Sequence, residues 1–185
     1  MARAPKKHTI KHLILDVDGV LPDGTFWYSS EGKVMKRFGP DDSDAIHLIK
    51  PHLEVLAISG DKLGFPITKK RVADDMGLSL FQVSTFERIA WITERYPLSE
   101  VAYMGDGIFD AMVFDKVGYA IAPANASKAV QAHADFVTHA KGGSGAVAEA
   151  CFHLLERFFE KADILDLRIK GGAWTPHQKS KKSPR

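Results

Sequence analysis

Ile14-Leu15-Asp16-Val17-Asp18-Gly19-Val20 is an apolar run that delivers two aspartates, one residue apart, and then a glycine. Carboxylates are costly to leave beside a core, so a pair at a strand end usually serves a metal or a reaction. One Asp can accept a phosphoryl group as a nucleophile; the other can move protons and lend a backbone carbonyl to a hard cation. Asp and Gly are also ordinary turn residues. Taken alone, the stretch supports turn and chemistry about equally, and the rest of the chain must decide.

The 185 residues suit one domain, with 45% hydrophobic and 26% charged residues, the balance of a soluble globular protein. A formal charge of +2 calls for no polyanionic partner. The basic residues gather near the ends, as Arg3, Lys6, Lys7 and Lys11 and as Lys179, Lys181, Lys182 and Arg185. Solvated termini explain them without nucleic acid. The single cysteine, Cys151, fits a cytoplasmic setting and core packing. Asp16 and Asp18 interrupt the one candidate signal-peptide run, and no stretch is apolar enough to span a membrane.

Outward from the opening stretch, β-rich runs alternate with helical patterns, which predicts an α/β fold with a mainly parallel sheet and helices on both faces. The strands are expected at Ile10–Val17, Glu54–Ser59, Leu80–Val83, Val101–Met104, Tyr119–Ile121 and Phe136–Val137. Helices are expected over Pro66–Met76, over Ser84–Arg95 with the capping box Ser84-x-x-Glu87, at Met112–Phe114, from an Asn125 cap through Ala132, and over Gly145–Glu160. Thr25–Tyr28 and Lys33–Phe38 flank Ser29-Ser30-Glu31-Gly32 and predict a β-hairpin. So short a hairpin implies a partner surface. The expected organisation is a basic arm over 1–9, one domain over 10–160 with its hairpin at about 25–38, and a tail over 161–185.

In an open parallel sheet, ligands sit beyond the carboxyl ends of the strands. Three such ends carry polar residues: Asp16 and Asp18; Ser59-Gly60; and Gly105-Asp106 followed by Asp110. A hydroxyl with nearby amides can hold phosphate oxygens, and Asp106 can join Asp16 on a hard cation. Other candidates are weaker. Gly142-Gly143-Ser144-Gly145 reads as an anion cradle or a plain turn. His8 and His12 lie in a strand-like stretch where their spacing has no ligand logic, and His47, His52, His133, His139, His153 and His177 form no pattern.

These residues, with Asp23-Gly24, Tyr28-Ser29, Gly32, Lys36, Phe38, Tyr103-Met104-Gly105-Asp106 and Gly142-Gly143-Ser144-Gly145-Ala146-Val147, resemble the haloacid dehalogenase superfamily of phosphohydrolases. Within it, the similarity is to the capless branch that includes 3-deoxy-D-manno-octulosonate 8-phosphate (KDO 8-phosphate) phosphatase. It covers roughly residues 10 to 160. The resemblance implies a Rossmann-like three-layer α/β/α fold without a large cap and a cytoplasmic Mg²⁺-dependent phosphatase acting on a small phosphorylated metabolite, a sugar or sugar-acid phosphate. Asp16 would be the nucleophile and Asp18 the acid and base. Ser59, with Gly60, would meet phosphate, and Arg88 is a candidate to join them in place of the family's cation. Asp16, Asp18 through its carbonyl, Asp106 and Asp110 would surround the metal. A homotetramer is implied, with no nucleic-acid or membrane partner.

The chain departs from the family pattern at the third motif, where a lysine is expected and the alignment sets Glu87. A carboxylate about 4 Å from phosphate would repel it by roughly 1 to 4 kcal/mol. Arg88 is the next residue, although adjacent helical positions point about 100° apart; Lys69, Lys70 and Arg71 on the preceding helix are the other candidate cations. Asp61 and Ala148 stand where the resemblance expects arginines, and Gly107 and Phe109 replace acidic and amide residues. A catalytically impaired binding or assembly module is the alternative these departures support.

Overall fold

The computed structural model describes residues 9–160. The basic arm, apart from Thr9, and the tail over 161–185 lie outside the described residues, as do His8 and His177.

Strand β1 (His12–Asp16) alternates its burial between two cores. Leu13 and Leu15 join one cluster, and Ile14 joins the other, the period-2 pattern of a strand covered on both faces. Its neighbours are β4 (Glu54–Ser59) and β6 (Val101–Met104), both parallel. Beyond β4 lies β5 (Ser79–Gln82), and beyond β6 lie β7 (Tyr119–Ala122) and β8 (Phe136–Val137), giving the order β5-β4-β1-β6-β7-β8. The chain builds one half of the sheet, then crosses to build the other beside β1. The strand-order reversal therefore falls where Asp16 ends its strand.

Helices α1 (Asp41–Ile49) and α6 (Ala146–Phe159) pack together over one face. Helices α3 (Arg88–Thr93), α4 (Asp110–Phe114) and α5 (Lys128–Gln131) contribute Ile92, Val113, Phe114 and Val130 to the core on the other. Helix α1 is not among the sequence expectations. Its apolar positions, Ala45, Ile46 and Ile49, are few, but Asp41, Asp42 and Asp44 in its first turn suit the positive helix start. Asp42 also accepts a bond from the Ala148 amide at 2.9 Å, fastening α1 to the start of α6.

Between β1 and α1 the chain forms the expected antiparallel hairpin, β2 (Pro22–Ser29) and β3 (Gly32–Phe38), longer at its base than the sequence predicts. It is the largest departure from the α/β layers among the described residues. Its Trp27, Tyr28, Val34 and Met35 are exposed.

Three helix expectations are corrected. Pro66–Met76 is a short α2 (Phe65–Thr68) that widens into a π-helical segment, Lys69–Asp75, where the Met76 amide reaches back five residues to Arg71. Ser84–Arg95 is helical only from Arg88 to Thr93. The preceding chain first crosses the end of β4, with the Val83 amide on the Ser59 carbonyl and the Glu87 amide on the Ser84 carbonyl, both at 2.9 Å. Its capping box therefore does not form. Ser127, not Asn125, caps α5, accepting from the Val130 amide at 3.4 Å; Asn125 is drawn instead towards the end of β1.

Candidate active site

Asp16 is the last residue of β1, almost fully buried. Its Oδ1 accepts the Val17 amide at 2.7 Å and Arg88 Nη2 at 2.8 Å, while Oδ2 accepts Arg88 Nη1 at 2.9 Å. Burial pushes its carboxyl well above the usual range, and Asp110 adds to that, with Arg88 opposing. Arg88 works from the first residue of α3. Because α3 starts there, Glu87 lies in the turn before it and is exposed, which separates the two side chains.

Asp110, at the start of α4, is wholly buried. Its Oδ1 accepts Arg88 Nη1 and the Tyr103 hydroxyl, the latter at 2.7 Å, and its Oδ2 accepts the Gly107 amide at 2.8 Å. Burial works against the Arg88 charge, but Tyr103, Asp16 and Asp110 outweigh it and hold the guanidinium firmly protonated. Asp106, just past β6, has its carboxyl raised to about 6, mainly by burial and then by Asp110. Asn125 Nδ2 stands 3.3 Å from its Oδ2 and 2.9 Å from the Gly19 carbonyl, and Asn125 Oδ1 accepts the Gly142 amide at 2.7 Å.

Asp18 sits two residues beyond Asp16, at the start of a tight turn closed by the Val20 and Leu21 amides on the Val17 carbonyl. Its Oδ1 pairs with Lys36 Nζ at 2.7 Å, and its Oδ2 stands 3.4 Å from Ser59 Oγ. Ser59 ends β4, fully buried, and its Oγ accepts the Asp61 amide at 3.2 Å. Gly60 follows, close to Thr85 on the neighbouring loop. Lys33 and Lys36 both pair with Asp61, at 2.5 and 2.8 Å. Although burial pushes the Asp61 carboxyl up, the two lysines bring it down to about 2.

Gly19 turns the chain with φ +85°, and a Cβ there would strike the Asp106 carboxylate. A Cβ at Gly142 would strike the Gly19 carbonyl, and one at Gly143 the backbone at Pro22 and Asp23. The Gly-rich stretch thus braces the aspartate loop by close backbone contact.

The predicted residues Asp16, Asp18, Ser59, Gly60, Arg88, Asp106 and Asp110 all lie at the carboxyl ends of β1, β4 and β6 or at the start of the helices beyond. Asp16, Asp106 and Asp110 each offer an oxygen within 4.8 Å of the others. With all four aspartates ionised, Arg88 and Lys36 leave a surplus of two negative charges. A set of hard oxygen donors with that surplus fits a divalent hard cation. Lys70 turns away to Asp74 and Asp75 on its own segment, at 3.9 and 3.7 Å. Among the described residues, the ion pairs of Asp16, Asp18 and Asp110 are made by Arg88 and Lys36.

Roles for Lys36, Tyr103 and Asn125 are absent from the sequence reading. For Lys36 the signal lies in the structure. In Val34-Met35-Lys36 the two apolar residues are exposed and the lysine is buried, an inversion that only a fixed anion would stabilise. His12 pairs with Glu54 at 2.9 Å, His139 with Glu149 at 2.9 Å, and His153 meets the Tyr119 hydroxyl at 2.7 Å, so these histidines serve surface or core contacts away from the aspartates.

The haloacid dehalogenase-like hydrolase family matches residues 89–150. The chain is 37% identical over 155 residues to the KDO 8-phosphate phosphatase of Salmonella typhi and 36% identical over 156 residues to that of Escherichia coli K12, with 81% of each chain covered in both cases. Among solved structures, the cobalt-bound deoxy-D-mannose-octulosonate 8-phosphate phosphatase of Haemophilus influenzae superposes with a TM-score of 0.74 at 30% identity, covering 85% of this chain and 94% of that one. The KDO 8-phosphate phosphatase of Moraxella catarrhalis, in complex with magnesium, phosphate and KDO, gives 0.71 at 28% identity over 83% and 91%. Sequence identity across four-fifths of the chain and a shared fold lead to one conclusion: this protein belongs to the haloacid dehalogenase-like phosphatases, in the KDO 8-phosphate phosphatase family.

Proposed function

We propose that the chain is a Mg²⁺-dependent phosphomonoesterase for a small phosphorylated metabolite, a sugar or sugar-acid phosphate, working through an aspartyl-phosphate on Asp16. The observation that carries this reading is the meeting of Asp16, Asp106 and Asp110 around Arg88 at the strand-order reversal. Asp16 attacks phosphorus while Asp18 gives a proton to the departing alcohol; Asp18 then takes a proton from the water that frees phosphate. Arg88 offsets the charge of nucleophile and phosphoryl group, and Ser59 with the Gly60 amide receives phosphate oxygens. Mg²⁺, held by the Asp16 and Asp106 carboxylates and the Asp18 carbonyl with Asp110 beside them, would supply charge neutralisation and in-line orientation.

The proposed assembly is a cytoplasmic homotetramer with the hairpin bordering a neighbouring copy, and the exposed hairpin aromatics support a covered surface there. Light scattering that finds only monomer rejects that part. The reaction is tested by phosphate release from a panel of sugar phosphates with Mg²⁺, comparing wild type with Asp16→Asn. Equal rates reject Asp16 as nucleophile.

A second reading, a binding module with impaired turnover, draws on the Arg88 bonds to both Asp16 oxygens. Calorimetry with Mg²⁺ and beryllium fluoride separates the two. Tight binding without hydrolysis favours the module, and binding with hydrolysis favours the phosphatase.

A further inference from the structure

Lys36 comes from β3 of the hairpin, outside the sheet, yet its side chain has no exposed surface. Its Nζ meets Asp18 Oδ1 at 2.7 Å, Asp61 Oδ2 at 2.8 Å and Thr68 Oγ1 at 2.8 Å. Three oxygens within 2.8 Å thus surround the ammonium, two of them charged, and commit it to these partners. Lys36 therefore acts on the site through Asp18. The two oxygens of that carboxylate are not equivalent. Oδ1 is buried and held by the Lys36 charge as an ion pair, without an aligned hydrogen bond, whereas Oδ2 stands 3.4 Å from Ser59 Oγ, beyond good hydroxyl hydrogen-bond distance. The Asp18 side chain retains 21% exposure.

We propose that Lys36 is a positioning residue that holds Asp18 by Oδ1, so that Oδ2 is the atom that moves the protons. The proposal rests on the Asp16 and Asp18 roles given above. In the first step the bond from an Asp16 oxygen to phosphorus forms as the bond from phosphorus to the substrate oxygen breaks. The electron pair stays on that oxygen, which takes the proton from Asp18 Oδ2. In the second, a water oxygen bonds to phosphorus, the bond from phosphorus to Asp16 breaks, and the water proton goes to Oδ2. Nothing else is consumed. Thr68 and Asp61 fix the ammonium from the end of α2 and the loop after β4, and Lys33 shares Asp61 as a second cation. The hairpin is thereby tied to the acid of the reaction, and displacing β3 moves the proton donor.

Leaving-group dependence tests this, because a phosphate ester whose leaving group departs readily as an anion has little need of an acid. Wild type, Lys36→Met and Asp18→Asn are assayed with phenyl phosphate, a poor leaving group, and 2,4-dinitrophenyl phosphate, a good one, with Mg²⁺ affinity by calorimetry as the check on the site. For Lys36→Met the expected result is a loss of kcat on the order of 10²-fold on phenyl phosphate, a loss of a few-fold on the dinitrophenyl ester, and unchanged Mg²⁺ binding. Equal losses on the two esters, or no loss, overturn the proposal. If Lys36→Met does not fold, Thr68→Val, which removes one of the three acceptors, carries the test, with a several-fold loss confined to phenyl phosphate expected and an equal loss on both esters overturning it. A selective loss in Asp18→Asn without one in the Lys36 or Thr68 variant overturns this proposal alone. An Asp18→Asn enzyme that is unselective overturns the Asp18 reading and the proposal together.

Discussion

The guanidinium of Arg88 bridges both carboxylate oxygens of Asp16, with Nη2 2.8 Å from Oδ1 and Nη1 2.9 Å from Oδ2. With the Val17 amide also on Oδ1, three of the carboxylate's roughly four acceptor positions are filled. A nucleophile that also binds a cation needs two of them. Under the proposed roles, Arg88 would therefore give up one bond when both cation and phosphoryl group arrive, which makes it the residue on which the proposal turns.

Arg88→Met is expected to lower kcat on the order of 10²- to 10³-fold, the effect of removing one preorganised charge donor. Without metal it also leaves Asp16 and Asp110 buried and unpaired, a destabilisation of about 3–5 kcal/mol. Arg88→Lys keeps the charge but cannot bridge two oxygens, so it recovers stability only in part. Steady-state kinetics and denaturant unfolding in EDTA measure both effects.

Mg²⁺ is expected to stabilise the fold by removing the repulsion among Asp16, Asp106 and Asp110. At about 100 times its dissociation constant, a ligand of the native state adds about 2.7 kcal/mol. Thermal unfolding with Mg²⁺ and with EDTA reads the shift, and Asp106→Asn shrinks it. An unchanged midpoint in wild type contradicts a divalent site here.

Asp61 gives the pH dependence its sign. Its carboxyl lies near 2 in the folded chain because Lys33 and Lys36 outweigh the burial that pushes it up. A group lowered on folding contributes stability above its unfolded value, near 4, and loses it as the pH falls through 2. The contribution is about 2 kcal/mol at neutral pH. Asp61→Asn should therefore be less stable than wild type at pH 7, and the two should converge as acid unfolding is followed from pH 4 to pH 2.

Gly142→Ala would drive a methyl group into the Gly19 carbonyl, with backbone on both sides and no flexible side chain to yield. Overpacking of this kind costs about 1–3 kcal/mol. It should also disturb the turn that follows Asp16 and carries Asp18, so urea midpoint and Mg²⁺ affinity fall together. A fall in stability alone means the turn is held by other contacts.

Much of the sheet was legible because its strands are short, apolar and closed by polar residues. Glu54–Ser59, Val101–Met104 and Phe136–Val137 have the same bounds in the sequence reading and the structure. The helices were less so. The periodicity around Ser84–Arg95 could not reveal that four residues cross the end of β4 before α3 begins, and that crossing decides whether residue 87 or 88 enters the site. The same limit hid Asn125, whose helix-cap chemistry is indistinguishable in sequence from its reach to Gly19 and Gly142. Lys36 was hidden because its partners are 18, 25 and 32 residues away in the chain, a convergence set by the hairpin's angle to the sheet.

The proposed aspartyl-phosphate on Asp16 is tested most directly by quenching the enzyme during turnover of a sugar phosphate from the panel with Mg²⁺ and reducing it with borohydride, which converts an aspartyl-phosphate to homoserine. Peptide mass spectrometry should find homoserine at position 16, dependent on Mg²⁺ and substrate and absent from Asp16→Asn, which releases no phosphate. Steady phosphate release with position 16 left as aspartate, or release by Asp16→Asn at the wild-type rate, contradicts the account.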